Sequence, residues 1–303
     1  MLKSRKSLLV LAVTVLMIIS FSLVAAAEFV PIEDRGYVNP EALISAEELA
    51  EIMDRDDVVV VDNRGKIKYT AGHIPGAIKI EKGEMKASGG MRLSKEAFEA
   101  LFSEKGIENG DTIVVYDDHG DLYSAWLWWT AKIYGNDNVR MLDGGIDRWN
   151  ALDYDTKMFA DSLDASDYQA EDLDEALLSH KEDVLAAIED DSVIIHDTRA
   201  EEEHTGEILK SGAERKGKVP TSIWLEWDET LNEDHTFMTA DEIQALYTDR
   251  EITDDKEIIT YCQSAVRSSH ALFAMTELLG YDEVSNYDGS WVEWSKNESL
   301  PVE

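Results

Sequence analysis

A single cysteine stands among the 303 residues, at position 262, and its surroundings decide what chemistry it can do. Cys262 directly follows the β-branched run Glu257–Tyr261, and a helical pattern starts near Ser268. The connection Cys262-Gln263-Ser264-Ala265-Val266-Arg267 leaves room only for a tight turn around the sulfur. Backbone N–H groups of Gln263 through Ser268 would point inward, and the helix N-terminus would add partial positive charge. With Arg267 beside them, both effects favour the thiolate, which is the nucleophilic form. A lone cysteine is equally at home as a small buried hydrophobe, and spacing alone leaves both readings standing. One cysteine excludes an intrachain disulfide and a multi-cysteine zinc site. No metal, nucleotide or flavin motif is visible, so no cofactor is expected.

A strand that ends at a cysteine needs a sheet around it, and the chain supplies the pattern twice. Val58-Val59-Val60-Val61-Asp62-Asn63-Arg64 recurs as Val193-Ile194-Ile195-His196-Asp197-Thr198-Arg199, offset by 135. Further on the offset is 145, pairing Pro75 with Pro220, Ser94 with Thr239, Tyr116 with Tyr261, Gly135 with Gly280, Gly144 with Gly289 and Trp149 with Trp294. One ten-residue insertion between Arg199 and Lys218 accounts for the change. Two copies of one domain follow.

Each copy reads as α/β. Val58–Val61, Ile113–Tyr116, Val193–His196 and Ile258–Tyr261 are short, apolar and β-branched, as buried parallel strands are. Ser45-Ala46-Glu47-Glu48 and Thr239-Ala240-Asp241-Glu242 are capping boxes. Ser268–Leu279 puts Ala271, Leu272, Met275 and Leu278 on one face of a helix that Gly280 ends. Strands alternating with helices predict mostly parallel sheets flanked by helices. Residues 28–155 form one domain, 156–180 an acidic linker with a helix leading onward, and 181–303 the second. Trp126, Trp128 and Trp129 belong to a core or interface.

The first 27 residues are of another kind. Lys3, Arg5 and Lys6 precede an uncharged run from Leu8 to Val24, then Ala25-Ala26-Ala27. That order is a secretory signal peptide, or an anchor if it stays uncleaved. The remainder is expected to be periplasmic, extracellular or attached to the cell surface. The net charge of −35 becomes −38 without those three cations, leaving 25 basic residues against 63 acidic ones. Such a surface repels polyanions, which excludes binding of nucleic acid by charge and argues against docking on anionic lipid. It fits a high-salt or an alkaline habitat.

Asp62-Asn63-Arg64, Tyr69, Gly72-His73-Ile74-Pro75-Gly76-Ala77, Asp143-Gly144-Gly145 with Trp149, the Cys262–Arg267 loop, and Asp288-Gly289 with Trp294 together resemble the tandem rhodanese-type sulfurtransferases over roughly residues 40–303. The resemblance implies two rhodanese-like domains and persulfide chemistry on Cys262 alone. Asp117 stands where the first copy would need its cysteine, so that copy should be silent. It further implies a small sulfur-containing anion as donor and a thiol or cyanide as acceptor. Gln263, Ser264, Ala265, Val266 and Ser268 would cradle the persulfide. Arg267 would hold the donor's sulfonate end or close the loop by an ion pair; Arg199 would contact substrate or serve structure beside Asp197.

In such relatives the segment equivalent to the insertion lies near the site mouth. Lys210, Arg215, Lys216 and Lys218 would there attract anions, unless the loop is merely solvated. Lys218 replaces the histidine of the first copy's Gly-His-Ile-Pro motif. Glu203 stands where relatives that use mercaptopyruvate, and some that use thiosulfate, carry arginine, so the resemblance implies thiosulfate or polysulfide rather than a carboxylate donor. Related folds with phosphatase or arsenate reductase activity use Cys-x5-Arg, whereas this ring is one residue shorter and suits a single sulfur atom. A noncatalytic persulfide carrier serving a protein partner is the other reading. Cys262 itself is expected in a surface loop.

Overall fold

The β-branched runs form the inner strands of two parallel sheets. The computed structural model describes residues 29–87 and 90–303, and the leader expected over residues 1–27 lies outside them. In the first domain β1 (Leu43–Ile44), β2 (Val58–Asp62), β3 (Ile78–Lys79), β4 (Thr112–Tyr116) and β5 (Val139–Leu142) lie in the order β1-β5-β4-β2-β3. In the second, β6 (Leu178–Ser179), β7 (Val193–Asp197), β8 (Ile223–Trp224), β9 (Glu257–Tyr261) and β10 (Val284–Tyr287) repeat that order as β6-β10-β9-β7-β8. All strand pairs are parallel, and Asp62 opposite Tyr116 is matched by Asp197 opposite Tyr261. Helices α1 (Ala46–Ile52), α2 (Lys66–Ala71), α3 (Lys95–Glu104), α4 (Leu122–Lys132) and α5 (Gly145–Ala151) flank the first sheet. The second has α6 (Lys181–Ala187), α7 (Glu201–His204), α8 (Ala240–Asp249), α9 (Val266–Phe273) and α10 (Ser290–Lys296).

The repeat extends to side-chain chemistry. The Tyr116 hydroxyl donates to Asp62 at 2.7 Å and accepts from the Ile74 N–H, while Tyr261 donates to Asp197 at 2.7 Å and accepts from the Val219 N–H. Arg64 and Arg199 pair with these same aspartates, each at 2.6 Å. The two domains share one apolar core. Trp126, Trp128 and Trp129 of α4 enter it beside Leu272 and Phe273 of α9, and Trp128 meets the Phe273 ring edge-on at 5.0 Å. The three tryptophans are therefore interface core. Smaller clusters around Trp149 and Trp294 fill the outer faces.

Three local expectations need correction. The helix placed at Ser268–Leu279 begins at Val266 and passes into a π-helical turn over Ala274–Leu278, so Arg267 and Ser268 belong to its first turn. The linker carries no α-helix: it runs extended to a 3-10 turn at Glu175–Leu177, and α6 starts only at Lys181. Its Tyr168 and Ala170 are buried, and its backbone bonds to Tyr134 and Ile133. Thr239 and Glu242 close a complete capping box, whereas Ser45 supplies only the forward half, because Glu48 turns to Arg140 at 2.6 Å.

Candidate active site

Cys262 sits where β9 ends, at the carboxyl edge of the second sheet, the position where open α/β sheets bind ligands. The turn is tighter than its sequence suggests, because Ala265 adopts the left-handed conformation (φ 61°) and α9 starts immediately after it. Cys262 is not at the surface as expected: it is 1% exposed. Burial opposes ionisation of the thiol. The Arg267 guanidinium, the Ser268 hydroxyl and the N–H groups of Ser268 and Ser264 outweigh it and hold the thiol below its ordinary range. The N–H groups of Ser264 and Ser268 thus lie close to the sulfur. The Gln263 side chain donates to the Ser211 carbonyl at 3.0 Å, and the Val266 side chain packs into the shared core.

The cations around the loop are paired within the protein. Arg267 is buried in a bidentate pair with Glu203, at 2.6 and 3.0 Å, so it closes the loop rather than offering a fork to a donor. Lys210 joins the same carboxylate at 3.1 Å. Arg199 is buried and bound to Asp197, to the Gly217 carbonyl and to the face of Trp291 at 4.6 Å. The Lys218 ammonium lies 3.5 Å from Glu303, and its backbone pairs with that same residue. The other cations of the insertion are also held by the protein. Arg215 donates to the carbonyls of Trp294 and Ser295 in the last turns of α10 and of Asn297 and Leu300 beyond it, and Lys216 donates to the Glu207 carbonyl. Unpaired carbonyls at a helix end attract cations more strongly than bulk water does, which explains where those charges went.

In the first domain Asp117 occupies the matching position and is fully buried. Its carboxylate accepts from the N–H groups of His119 (2.7 Å), Asp121 (3.1 Å), Tyr123 (2.6 Å) and Ser124 (3.3 Å). Through the offset of 145, His119 and Tyr123 are the counterparts of Ser264 and Ser268. The same two N–H groups therefore meet an anion in both domains.

Two residues of the site escape a reading of the sequence. The Ser290 hydroxyl accepts from the N–H groups of Cys262 (3.2 Å) and Ala265 (3.0 Å) and donates to the Tyr287 carbonyl at 2.7 Å, stapling the loop from beneath. Its counterpart is Gly145, and that replacement within the repeat was the available signal. Lys86, from the first domain, reaches across and donates to the Ser264 hydroxyl at 3.2 Å. No local pattern marks it, because its role depends on how the domains pack.

Known proteins repeat this architecture. The Rhodanese-like domain family matches residues 45–152 and again 180–297. A Haloferax volcanii protein named "Putative thiosulfate sulfurtransferase" is 39% identical over 242 residues, covering 78% of this chain and 84% of its own. The "Sulfur carrier protein TtuD" of Thermus thermophilus is 34% identical, covering 88% and 98%. Among solved structures, the anaerobic ergothioneine biosynthesis enzyme of Chlorobium limicola superposes with a TM-score of 0.79 at 23% identity, over 88% of this chain and 71% of that one, which is a likeness of fold. Relatives with sulfurtransferase names over nearly their whole length support sulfur transfer as the activity of such a chain. With both copies of the domain matched and their strand order and Asp-Tyr-Arg networks duplicated, the chain belongs to the rhodanese family as a tandem member.

Proposed function

We propose that the protein is an exported sulfurtransferase that moves the sulfane sulfur of thiosulfate, or of a similar donor, through a persulfide on Cys262 to cyanide or a thiol. The observation that carries this reading is the surroundings of the sulfur: a buried thiol held towards the thiolate by Arg267, Ser268 and two converging N–H groups. The thiolate attacks the outer sulfur of thiosulfate. A new S–S bond forms on Cys262, the donor's own S–S bond breaks, and sulfite departs with that electron pair. No proton is gained or lost, and the single negative charge moves one atom outward along the cradle. Fixed dipoles are well suited to hold it, because they need no reorganisation as the charge shifts. Cyanide or a thiolate then takes the outer sulfur and regenerates the thiolate. The pairing of Arg267 with Glu203 supports a donor without a carboxylate.

The test is direct. Protein treated with thiosulfate should gain the mass of one sulfur atom, release one sulfite and lose the added mass on exposure to cyanide. Cys262→Ser should do none of this while unfolding at an unchanged midpoint, since Ser nearly matches Cys in size. Turnover retained in that variant overturns the mechanism. A second reading, a noncatalytic carrier that hands its persulfide to one protein partner, is favoured by the TtuD relative's name. Steady turnover with a small acceptor excludes it; loading without turnover establishes it.

Export rests on the basic, apolar and small-residue order of residues 1–27. It supports a location in the periplasm, outside the cell, or at the cell surface if the segment is kept as an anchor. The mature mass of protein recovered from its host distinguishes these, and an intact N-terminus on protein in the soluble cell interior overturns export.

A further inference from the structure

Each domain lays an arm across the other's loop. In the first domain the arm is closed by the Lys86–Arg92 bridge, and in the second by Leu231–Phe237, which is the same pair displaced by 145. The arms are anchored alike. Asp288 accepts the Arg92 N–H at 3.2 Å and its guanidinium at 3.0 Å, while Asp143 accepts the Phe237 N–H at 3.0 Å. What the arms deliver is different. Leu231 packs over Gly120 of the silent loop so closely that an added Cβ there would collide with its Cδ1. Lys86, at the equivalent place, brings an ammonium to the loop of Cys262.

That ammonium is unlike the other cations near the site. Arg267 and Lys210 share Glu203, Arg199 has Asp197, and Lys218 has Glu303. Among the described residues no carboxylate lies within ion-pair distance of Lys86. Its near contacts are the Ser264 hydroxyl at 3.2 Å and the Trp126 ring, 4.7 Å from Nζ to the centroid. Half-buried on an aromatic face, it is partly stripped of water, which lowers its affinity for a proton, as does Lys82; the charge on Cys262 and, beyond ion-pair distance, that on Asp288 act in the opposite sense. A desolvated cation without a counter-ion is unfavourable and creates a site for an anion. A covalently held persulfide supplies one negative charge, and a sulfur oxoanion docking against Cys262 supplies two.

We propose that Lys86, carried by the catalytically silent domain, binds the sulfonate end of a dianionic sulfur donor at Cys262 and so sets the site's preference for thiosulfate-like oxoanions. This rests on the sulfurtransferase reading above and adds to it a donor class and a role for the first domain. The ammonium neutralises charge that accumulates when a dianion approaches a thiolate, and it stays with sulfite as the S–S bond breaks. A donor with no sulfonate, such as a small alkyl persulfide, has little use for it.

The experiment compares loading of Cys262 from thiosulfate and from a small alkyl persulfide, followed by intact mass, in wild type, Lys86→Met and Lys86→Arg. Loss of one charge-assisted hydrogen bond should raise the half-saturating thiosulfate concentration of Lys86→Met by roughly 10- to 100-fold. The ratio of thiosulfate to persulfide loading should fall by at least tenfold, and Lys86→Arg should recover most of it. An equal loss with both donors makes Lys86 a prop for the loop and overturns the assignment, as does an unchanged response to thiosulfate. If wild type takes sulfur from neither donor, the sulfurtransferase reading itself falls, which separates the two failures.

Discussion

In the first domain the loop after β4 closes on the carboxylate of Asp117; in the second, the loop after β9 closes on the hydroxyl of Ser290. The first arrangement satisfies four backbone N–H groups from within the cradle. The second ties down the N–H groups of Cys262 and Ala265 from outside, leaving those of Ser264 and Ser268 facing the sulfur. Room decides which is possible. Gly145 has no Cβ, and one built there would collide with the Asp117 carbonyl oxygen; Ser290 keeps the left-handed backbone (φ 47°) despite its side chain. A non-glycine residue held at positive φ is maintained by its surroundings, and such strain gathers at functional sites. The first domain thus fills its cradle with a carboxyl group of its own chain, where the second places the sulfur of Cys262.

The most severe way to break the comparison is to exchange the occupants. A chain carrying Asp117→Cys and Cys262→Ser should form no persulfide at position 117. Leu122 stands where Arg267 stands in the second domain. Asp121 is fully buried with both carboxylate oxygens unpartnered among the described residues, and burial together with Asp117 and Asp143 pushes it well above the carboxylate range. A thiolate there would lack the guanidinium that Arg267 supplies in the second domain, and a leucine arm lies across the loop. A sulfur adduct on position 117 after thiosulfate treatment would mean that the backbone cradle alone suffices.

Ser290 sharpens the comparison with a smaller effect. Ser290→Ala leaves two buried N–H groups without an acceptor and should destabilise the protein by about 1–3 kcal/mol, read from urea unfolding. Ser290→Gly, the residue the first domain has, loses the same bonds but relaxes the backbone by about 1 kcal/mol, so its cost should be the lower of the two. Both should slow loading of Cys262, because the loop that aims the N–H groups loses its staple. Equal stability loss in the two variants would remove strain from the account.

How much of this was legible in the sequence follows from the range of each interaction. Cys262, the silent Asp117 and the duplicated sheets rest on local runs and on a repeat, and both are visible in one dimension. The start of α9 at Val266 was missed because a left-handed Ala265 leaves no compositional sign. The partner of Arg199 was legible, since Asp197 stands two positions away; Arg267 and Lys218 were recognisable as cations, but Glu203 and Glu303 reach them only through the fold. Ser290 was readable in principle as a difference between copies at Gly145. Lys86 was not, because its contact with Ser264 spans 178 positions and depends on the two domains meeting.

Titration separates the loops by a still smaller shift. The thiol of Cys262 is held below its ordinary range, so alkylation by iodoacetamide should reach half its maximal rate below about pH 8.5, the value for a free cysteine. Ser268→Ala removes a donor that favours the thiolate and should move the midpoint upwards. A midpoint at or above the free value in wild type would mean that burial outweighs Arg267 and the N–H groups.

The smallest effect concerns salt, and it tests whether the insertion belongs to the site at all. A chain with a net charge of −35 repels a dianionic donor at long range, and a Debye length near 10 Å at about 0.1 M salt suppresses that repulsion. The KM for thiosulfate should therefore fall as salt rises. Lys86 lies half-buried against Trp126, where screening is weaker, so its contribution should outlast that of exposed charges. If the lysines of the insertion drew donors in, neutralising them would steepen the fall. Their geometry argues otherwise, because Lys218 is held by Glu303 and Lys216 by the Glu207 carbonyl. Lys216→Met with Lys218→Met should therefore give a KM curve with the same salt dependence as that of wild type. A steeper curve in the double variant would return the insertion to the entrance of the site. A KM that rises with salt in both proteins would show that attraction close to Cys262, rather than the field of the whole chain, governs access.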